Sequence, residues 1–371
     1  MALPPVVRVA ETRPRERGIQ IGQQCADRIR GSIGLYTEVF AHYAGLTWAD
    51  VVRHARQFRE PIGEFDSVIL EEMDGVAQGA ELDPDEILAL NVRSEVMFGL
   101  KVAPEGECTS FFAGPRATAD GHTLIGQNWD WKPECTETVV LLDLYQGPDL
   151  PSVVTVVEAG LVAKTGFNSA GLGMATNTLI TPMDKGEPGV PYHILLRRIL
   201  NSWSLEEALA SIAGAIRSAS AHYLMADRRG RGLSLETTAG GAEGIFVTHP
   251  DDDTLGHSNN FTCVVGFQDL GIQEIPDSPD RVAELSTYLS KTAGRLDEPA
   301  IVSILSSHGV GFPNAICRHP DTSLARIERL ATDAALICDL TTSTMRVTVG
   351  RPCENVLETY EPSFAGKPAE Q

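Results

Sequence analysis

Apolar side chains in the first hundred residues recur at helical spacing. Tyr36, Val39, Phe40 and Tyr43 follow the i, i+3, i+4, i+7 pattern of one helix face. Ile62, Phe65, Ile69, Met73 and Val76 form a second stripe. Asp83-Pro84-Asp85-Glu86 reads as a helix start: Asp83 caps, Pro84 suits the first turn, and Glu86 closes a capping box. That helix is expected to run through Ile87, Leu90 and Val92.

From Cys108 the pattern changes to short β-rich runs at Thr109–Ala113, Thr123–Asn128, Val139–Leu144, Val153–Val157, Leu161–Phe167 and Leu172–Thr176. Turn strings such as Ala119-Asp120-Gly121 and Asn168-Ser169-Ala170-Gly171 separate them. Helices are predicted at His193–Leu200, after Ser204 (capped with Glu207), at Arg281–Thr292 and at Pro299–Ser307. Further strands are predicted at His222–Ala226, Leu233–Thr237, Ile245–Thr248, Ala334–Asp339 and Met345–Val349. Blocks of strands alternating with blocks of helices predict an α+β fold of sheets covered by helices. Regular βαβ spacing is absent. The tail after Pro362 is expected to be disordered.

The 371 residues allow about two domains or one large one. With 30 Lys+Arg against 50 Asp+Glu, the net charge of −20 argues against nucleic acid as a partner, because phosphate binding needs a basic face. No signal peptide and no membrane span is read from the chain. The seven cysteines are odd in number, widely spaced and without a CxxC pair, which fits a reducing cytoplasm. The nine histidines show no HExxH or HxH spacing. The expectation is therefore no metal and no cofactor.

Cys108 stands where helical pattern gives way to strands. With a two-residue turn at Asp120-Gly121, Asp130 would fall one diagonal step from Cys108, ~7–8 Å or less. Asp130 lies between Trp129 and Trp131, and a carboxylate buried between two aromatics is costly unless paired.

Glu107-Cys108-Thr109-Ser110-Phe111 followed by Gly126-Gln127-Asn128-Trp129-Asp130 resembles the acyl-coenzyme A:isopenicillin N acyltransferase family of N-terminal nucleophile hydrolases. The likeness continues in Glu158-Ala159-Gly160-Leu161, in Lys164 to Gly171, in Gly189-Val190-Pro191, in His257-Ser258-Asn259 and in Gly350-Arg351-Pro352. Leu90-Asn91 and Phe98-Gly99-Leu100-Lys101 extend it upstream. The resemblance implies a four-layer αββα sandwich. Residues 1–107 would be a helical leader or α chain, and 108–371 the catalytic β chain of the same precursor. Cys108 would attack the carbonyl of Glu107, and water would open the thioester. The new N-terminal amine, pKa ~7.7–8.0, is basic enough to activate its own thiol, pKa ~8.5. An acyl-Cys108 intermediate would then go to water or to an amine. Candidate substrates are acyl-amides or acyl-thioesters of small amines, amino acids or peptides.

The resemblance gives Asp130 the role of holding the α-amine or polarising the nucleophile. Asn259 becomes the oxyanion donor, with Asn177 a weaker second. Arg329, just before Ala331-Thr332, is matched to an arginine that would orient Asp130 or bind a substrate carboxylate. Two positions depart from the pattern: Glu107 stands where the penicillin-making enzyme has Gly, and Glu328 replaces a serine. An uncleaved, catalytically inactive binding or scaffold protein on the same fold is the alternative.

Overall fold

A computed structural model describes residues 3–100 and 107–365. Lys101 and the Pro104 to Gly106 string lie outside those residues.

The chain opens with β1 (Val6–Ala10), which the hydrophobic pattern did not reveal, and α1 (Pro14–Ala44), which buries Tyr36, Val39 and Phe40 as predicted. Gly45, at φ 66°, turns the chain out of α1 in the left-handed conformation glycine allows. Next comes α2 (Trp48–Ala55), closed by a Thr47–Asp50 capping box. The second stripe is divided between α3 (Arg59–Phe65) and α4 (Ser67–Ala80). Asp66 is extended there, and its carboxylate takes the free N–H groups of Val68 and Ile69, so a new helix starts. The box at Asp83 and Glu86 forms as expected and starts α5 (Pro84–Asn91); α6 (Arg93–Leu100) follows.

The strands that follow are β2 (Glu107–Ala113), β3 (Leu124–Trp131), β4 (Val139–Tyr145), β5 (Val153–Glu158), β6 (Thr165–Asn168) and β7 (Leu172–Thr178). The run predicted from Leu161 pairs only from Thr165, because Glu158 to Leu161 form a turn with Gly160 at φ 101°. Then come α7 (Tyr192–Leu200), α8 (Leu205–Gly214), β8 (Ala221–Asp227), β9 (Gly232–Thr237), β10 (Ile245–Thr248) and β11 (Thr254–His257). The Ser204 hydroxyl caps α8, while the Glu207 carboxylate turns to the Trp203 N–H rather than to Ser204. The chain ends through α9 (Gly271–Glu274), α10 (Ser278–Thr292), α11 (Glu298–Leu305), β12 (Ala331–Asp339), β13 (Thr344–Val349) and β14 (Glu358–Tyr360). The expected disorder after Pro362 does not hold for residues 363–365: Ser363 binds the Asp143 carboxylate, and Phe364 packs on Phe167.

One sheet has eight strands in the order β1-β4-β5-β6-β7-β8-β9-β10, and the other six in the order β11-β2-β3-β12-β13-β14. They face each other through β2 and β3 against β6 and β7. Helices α7 and α8 lie on the larger sheet; α10 and α11 lie on the smaller, where Phe111, Leu285, Leu289 and Ile304 share a core. The result is the expected αββα layering. Strands β2 and β3 are buried along their whole length because a sheet covers one face and helices the other.

The segment before Cys108 belongs to the same core. Strand β1 pairs parallel to β4. Helices α1 and α4 approach so closely that a Cβ on Gly18 would sit 2.0 Å from the Glu72 carbonyl oxygen. Arg17 and Arg197 both bind the buried Glu72 carboxylate, which ties α1 and α4 to α7. Among the described residues no helix is long and apolar enough to cross a membrane.

Candidate active site

Cys108 is the second residue of β2 and is buried. The pairing of β2 with β3 differs from the expected register. The connection is not a two-residue turn but residues 114–123, in which Asp120-Gly121 makes only the last bend. Cys108 therefore stands opposite Trp129, and Asp130 stands opposite Glu107. Directly opposed residues share a sheet face and successive residues alternate. Asp130 thus points with Glu107 to the α10 side, while the Cys108 thiol points between the sheets.

On the inter-sheet face, Gln127 Nε2 lies 3.5 Å from Cys108 Sγ, and Gln127 Oε1 accepts from the Thr176 N–H. Lys164 sits with its ammonium 4.6 Å from the centre of the Trp129 ring and lends positive potential to the thiol. Burial outweighs this and pushes the Cys108 thiol up to about 11.

On the other face five charged side chains are packed together. Arg281, from the first turn of α10, is fully buried. Its guanidinium donates to the Cys108 carbonyl at 3.0 Å, to Thr109 Oγ1 at 2.8 Å and to Asn259 Oδ1 at 3.1 Å. It also pairs with Glu107 at 3.4 Å and with Asp277 at 2.7 Å. Arg318 pairs with Glu107 as well, reaches Asp277 at 2.5 Å, and lies 4.0 Å from Asp130 Oδ2. Burial raises the Glu107 carboxyl despite its two arginines, and raises Asp130 to about 7. Thr332 donates to Asp130 Oδ1 at 2.6 Å, and Asp130 Oδ2 is buried without a hydrogen bond.

Asn259 meets Cys108 directly. Its Oδ1 accepts the Cys108 backbone N–H at 3.0 Å, and its Nδ2 donates to the Thr178 carbonyl at 3.1 Å. Asn177, on β7, donates to the Cys108 carbonyl at 2.9 Å. Behind it a buried chain leads from Asn177 Oδ1 to His222, which stacks on His257, which pairs with Glu236 at 2.9 Å.

Four of the residues read from the sequence therefore converge: Cys108, Asp130, Asn259 and Asn177. Arg329 does not join them. It lies in the segment before β12, where its guanidinium binds the carbonyls of Thr322 and Leu324. The arginines against Asp130 are Arg318 and Arg281, which the sequence reading missed. Arg281 opens the helix predicted over Arg281–Thr292, and nothing in that pattern marks it for the site; Asp277, its ion-pair partner, precedes it by four residues. No pattern marks Arg318.

Residues 117–353 match the model of a family described as acyl-coenzyme A:6-aminopenicillanic acid acyl-transferase. The chain is 28% identical over 359 residues to the 40 kDa form of acyl-coenzyme A:6-aminopenicillanic-acid-acyltransferase of Emericella nidulans, covering 95% of this chain and 94% of that protein. Among solved structures, a variant of the conjugated bile acid hydrolase of Clostridium perfringens is similar at 14% identity and a TM-score of 0.46, over 70% of this chain and 98% of that one. The Caenorhabditis elegans ortholog of N-acylethanolamine-hydrolyzing acid amidase is similar at 15% identity and a TM-score of 0.46, over 63% and 93%. By the match over most of its length, the chain belongs to the acyl-coenzyme A:6-aminopenicillanic acid acyl-transferase family.

Proposed function

We propose that the protein is a self-activating cysteine amidohydrolase or N-acyltransferase, cleaved between Glu107 and Cys108, that works through an acyl-Cys108 intermediate. One observation supports this above the others: the backbone nitrogen of Cys108 is held by Asn259, while on the paired strand Asp130, opposite Glu107, keeps a buried carboxylate oxygen, Oδ2, that has no hydrogen-bond partner. A free α-amine at that nitrogen would bring the protons this oxygen lacks.

Maturation runs in two steps. The Cys108 sulfur attacks the Glu107 carbonyl carbon, the C–N bond breaks, and its nitrogen takes a proton to become the amine. Water then opens the thioester, leaving the Glu107 carboxylate and the Cys108 thiol. In the mature site the amine takes the thiol proton and the thiolate attacks the substrate carbonyl. Because Asp130 and the thiol lie on opposite faces of β2–β3, Asp130 acts on the amine and not on the sulfur. Asn259 has a second Nδ2 proton to offer an oxyanion, and the Gln127 amide already faces the sulfur. The acyl-enzyme is resolved by water or by an amine. Residues 1–107 form the leader chain and 108–371 the catalytic chain, with a small acyl-amide or acyl-thioester as substrate and a cytoplasmic location.

N-terminal sequencing of the purified protein tests the reading. A chain beginning at Cys108, together with its loss in Cys108→Ala, supports it. Turnover of an acyl-amide library by Cys108→Ala would overturn it.

A second reading has one observation in its favour. Glu107 is buried and clamped by Arg281 and Arg318, with the thiol beside it driven toward its neutral form. A site so filled suits an uncleaved binding or scaffold protein. Recovery of only the intact 40.0 kDa chain, without acyl-amide turnover, would favour it.

A further inference from the structure

Away from Cys108, two histidines and two cysteines from two separate segments converge at the protein surface. His308, Cys317 and His319 lie in the segment between α11 and β12, and Cys353 follows β13. The four ligand atoms all lie within 4.8 Å of one another. His308 Nε2 and His319 Nε2 are 3.0 Å apart, His319 Nε2 and Cys353 Sγ 3.3 Å, and the two sulfurs 3.4 Å.

We propose that His308, Cys317, His319 and Cys353 form a metal site of the tetrahedral Cys₂His₂ kind, suited to a borderline-soft divalent ion such as zinc. A tetrahedral ion with metal–sulfur bonds of about 2.3 Å and metal–nitrogen bonds of about 2.0–2.1 Å holds its donors about 3.3–3.8 Å apart. The three short separations, 3.0, 3.3 and 3.4 Å, lie in that range or a few tenths of an ångström below it, and the remaining pairs, all within 4.8 Å, need only small side-chain adjustments to reach it. Binding releases the two thiol protons to solvent, so two thiolates, two neutral imidazoles and a divalent ion make a neutral complex. Neutrality suits a site whose one wall, Cys317, is buried. His308 and Cys353 are exposed and give the ion a way in. The other nitrogen of the His319 ring, Nδ1, lies 3.7 Å from Glu354 Oε1, a carboxylate placed to orient a ligating imidazole. A Cys317–Cys353 disulfide would need no histidine at all.

The site has a consequence for the one already described. Arg318 stands between two of the ligands, and its guanidinium holds Glu107 and Asp277. Its own N–H is taken by Thr332, the residue that donates to Asp130. An ion bound at Cys317 and His319 therefore fixes the backbone on both sides of Arg318.

The test uses the full chain, reduced and stripped of metal, titrated with Co²⁺. The expected result is one Co²⁺ per chain, a thiolate-to-cobalt charge-transfer band with tetrahedral ligand-field bands, and displacement by Zn²⁺. Cys353→Ser should abolish the charge-transfer intensity of one sulfur, and His308→Ala should weaken affinity at least ~10-fold. Both side chains are exposed, so circular dichroism should show the fold unchanged. Cys263→Ser, whose sulfur contacts Thr248 elsewhere, should leave the spectrum as it was. Absence of a charge-transfer band in the reduced protein would overturn the proposal. So would a spectrum that is the same in Cys353→Ser and His308→Ala as in the parent chain.

Discussion

The backbone N–H of Cys108 donates to Asn259 Oδ1 across 3.0 Å, joining the second residue of β2 to the segment after β11. The atom that cleavage would release as an amine is thus already oriented in the intact chain. On the opposite face from the thiol, Arg281 binds both Asn259 Oδ1 and the Cys108 carbonyl. The backbone of Cys108 is thus held at its N–H by Asn259 and at its carbonyl by Arg281.

Replacement of the nucleophile should uncouple folding from activation. Cys108→Ala is expected to fold, to remain one chain of 40.0 kDa on a denaturing gel, and to show no acyl-amide turnover. Cys108→Ser should mature and turn over more slowly, by at least ~10²-fold, since a hydroxyl is a poorer nucleophile at neutral pH. Mass spectrometry of both proteins after prolonged incubation checks this.

Asp130 should give the uncleaved chain a pH-dependent stability. Burial raises its carboxyl from 3.8 to about 7, so the folded state favours the protonated form. Its contribution is complete below the unfolded value near 4 and is lost as pH rises through about 7. In a Cys108→Ala background, stability relative to Asp130→Asn should therefore fall between about pH 4 and pH 8, by up to about 4 kcal/mol. Urea titrations across that range decide the matter: parallel profiles for the two proteins would remove the assigned protonation.

Arg281 should be irreplaceable even by lysine. Its guanidinium serves Glu107, Asp277, Asn259, Thr109 and the Cys108 carbonyl at once. An ammonium has three donors and no planar fork. Arg281→Ala is expected to lose about 3–5 kcal/mol, because it leaves buried carboxylates short of a partner. Arg281→Lys should recover part of the stability but little of the cleavage rate. Equal recovery of both would reduce Arg281 to a packing residue.

Cleavage should not free the upstream segment. Tyr36 binds the Glu158 carboxylate, Arg93 binds it at 3.1 Å, and Glu72 is shared between Arg17 and Arg197. Strand β1 adds a parallel edge to β4. After maturation both chains should co-elute on size exclusion and separate only in denaturant. Free passage of the leader through a native column would contradict the shared core.

Local signals were readable where a short stretch of chain decides its own conformation. The Asp83–Glu86 box, the α1 stripe and most strands between Thr109 and Val349 formed close to where their patterns place them. β1 escaped notice because five residues with a partner far down the chain carry little periodicity. The register of β2 against β3 was misjudged because Asp120-Gly121 is a turn signal, and a turn signal does not say how many residues precede it. Glu107, next to Cys108, stands out in the sequence only as a departure from a pattern. Only its arginine partners give it a physical role.

The sequence by itself determined most of the element types and the α+β class, and its resemblance singled out Cys108 and Asp130 as candidates for the chemistry. Tertiary structure decided which arginines attend them, which face of the sheet each side chain takes, and that His308, Cys317, His319 and Cys353 meet at all. The reason is range. Helix caps and alternation are settled within a few residues, whereas Arg281, Arg318 and Cys353 reach their partners only through the packing of α10 and of the segments flanking β12 and β13 against the buried hairpin.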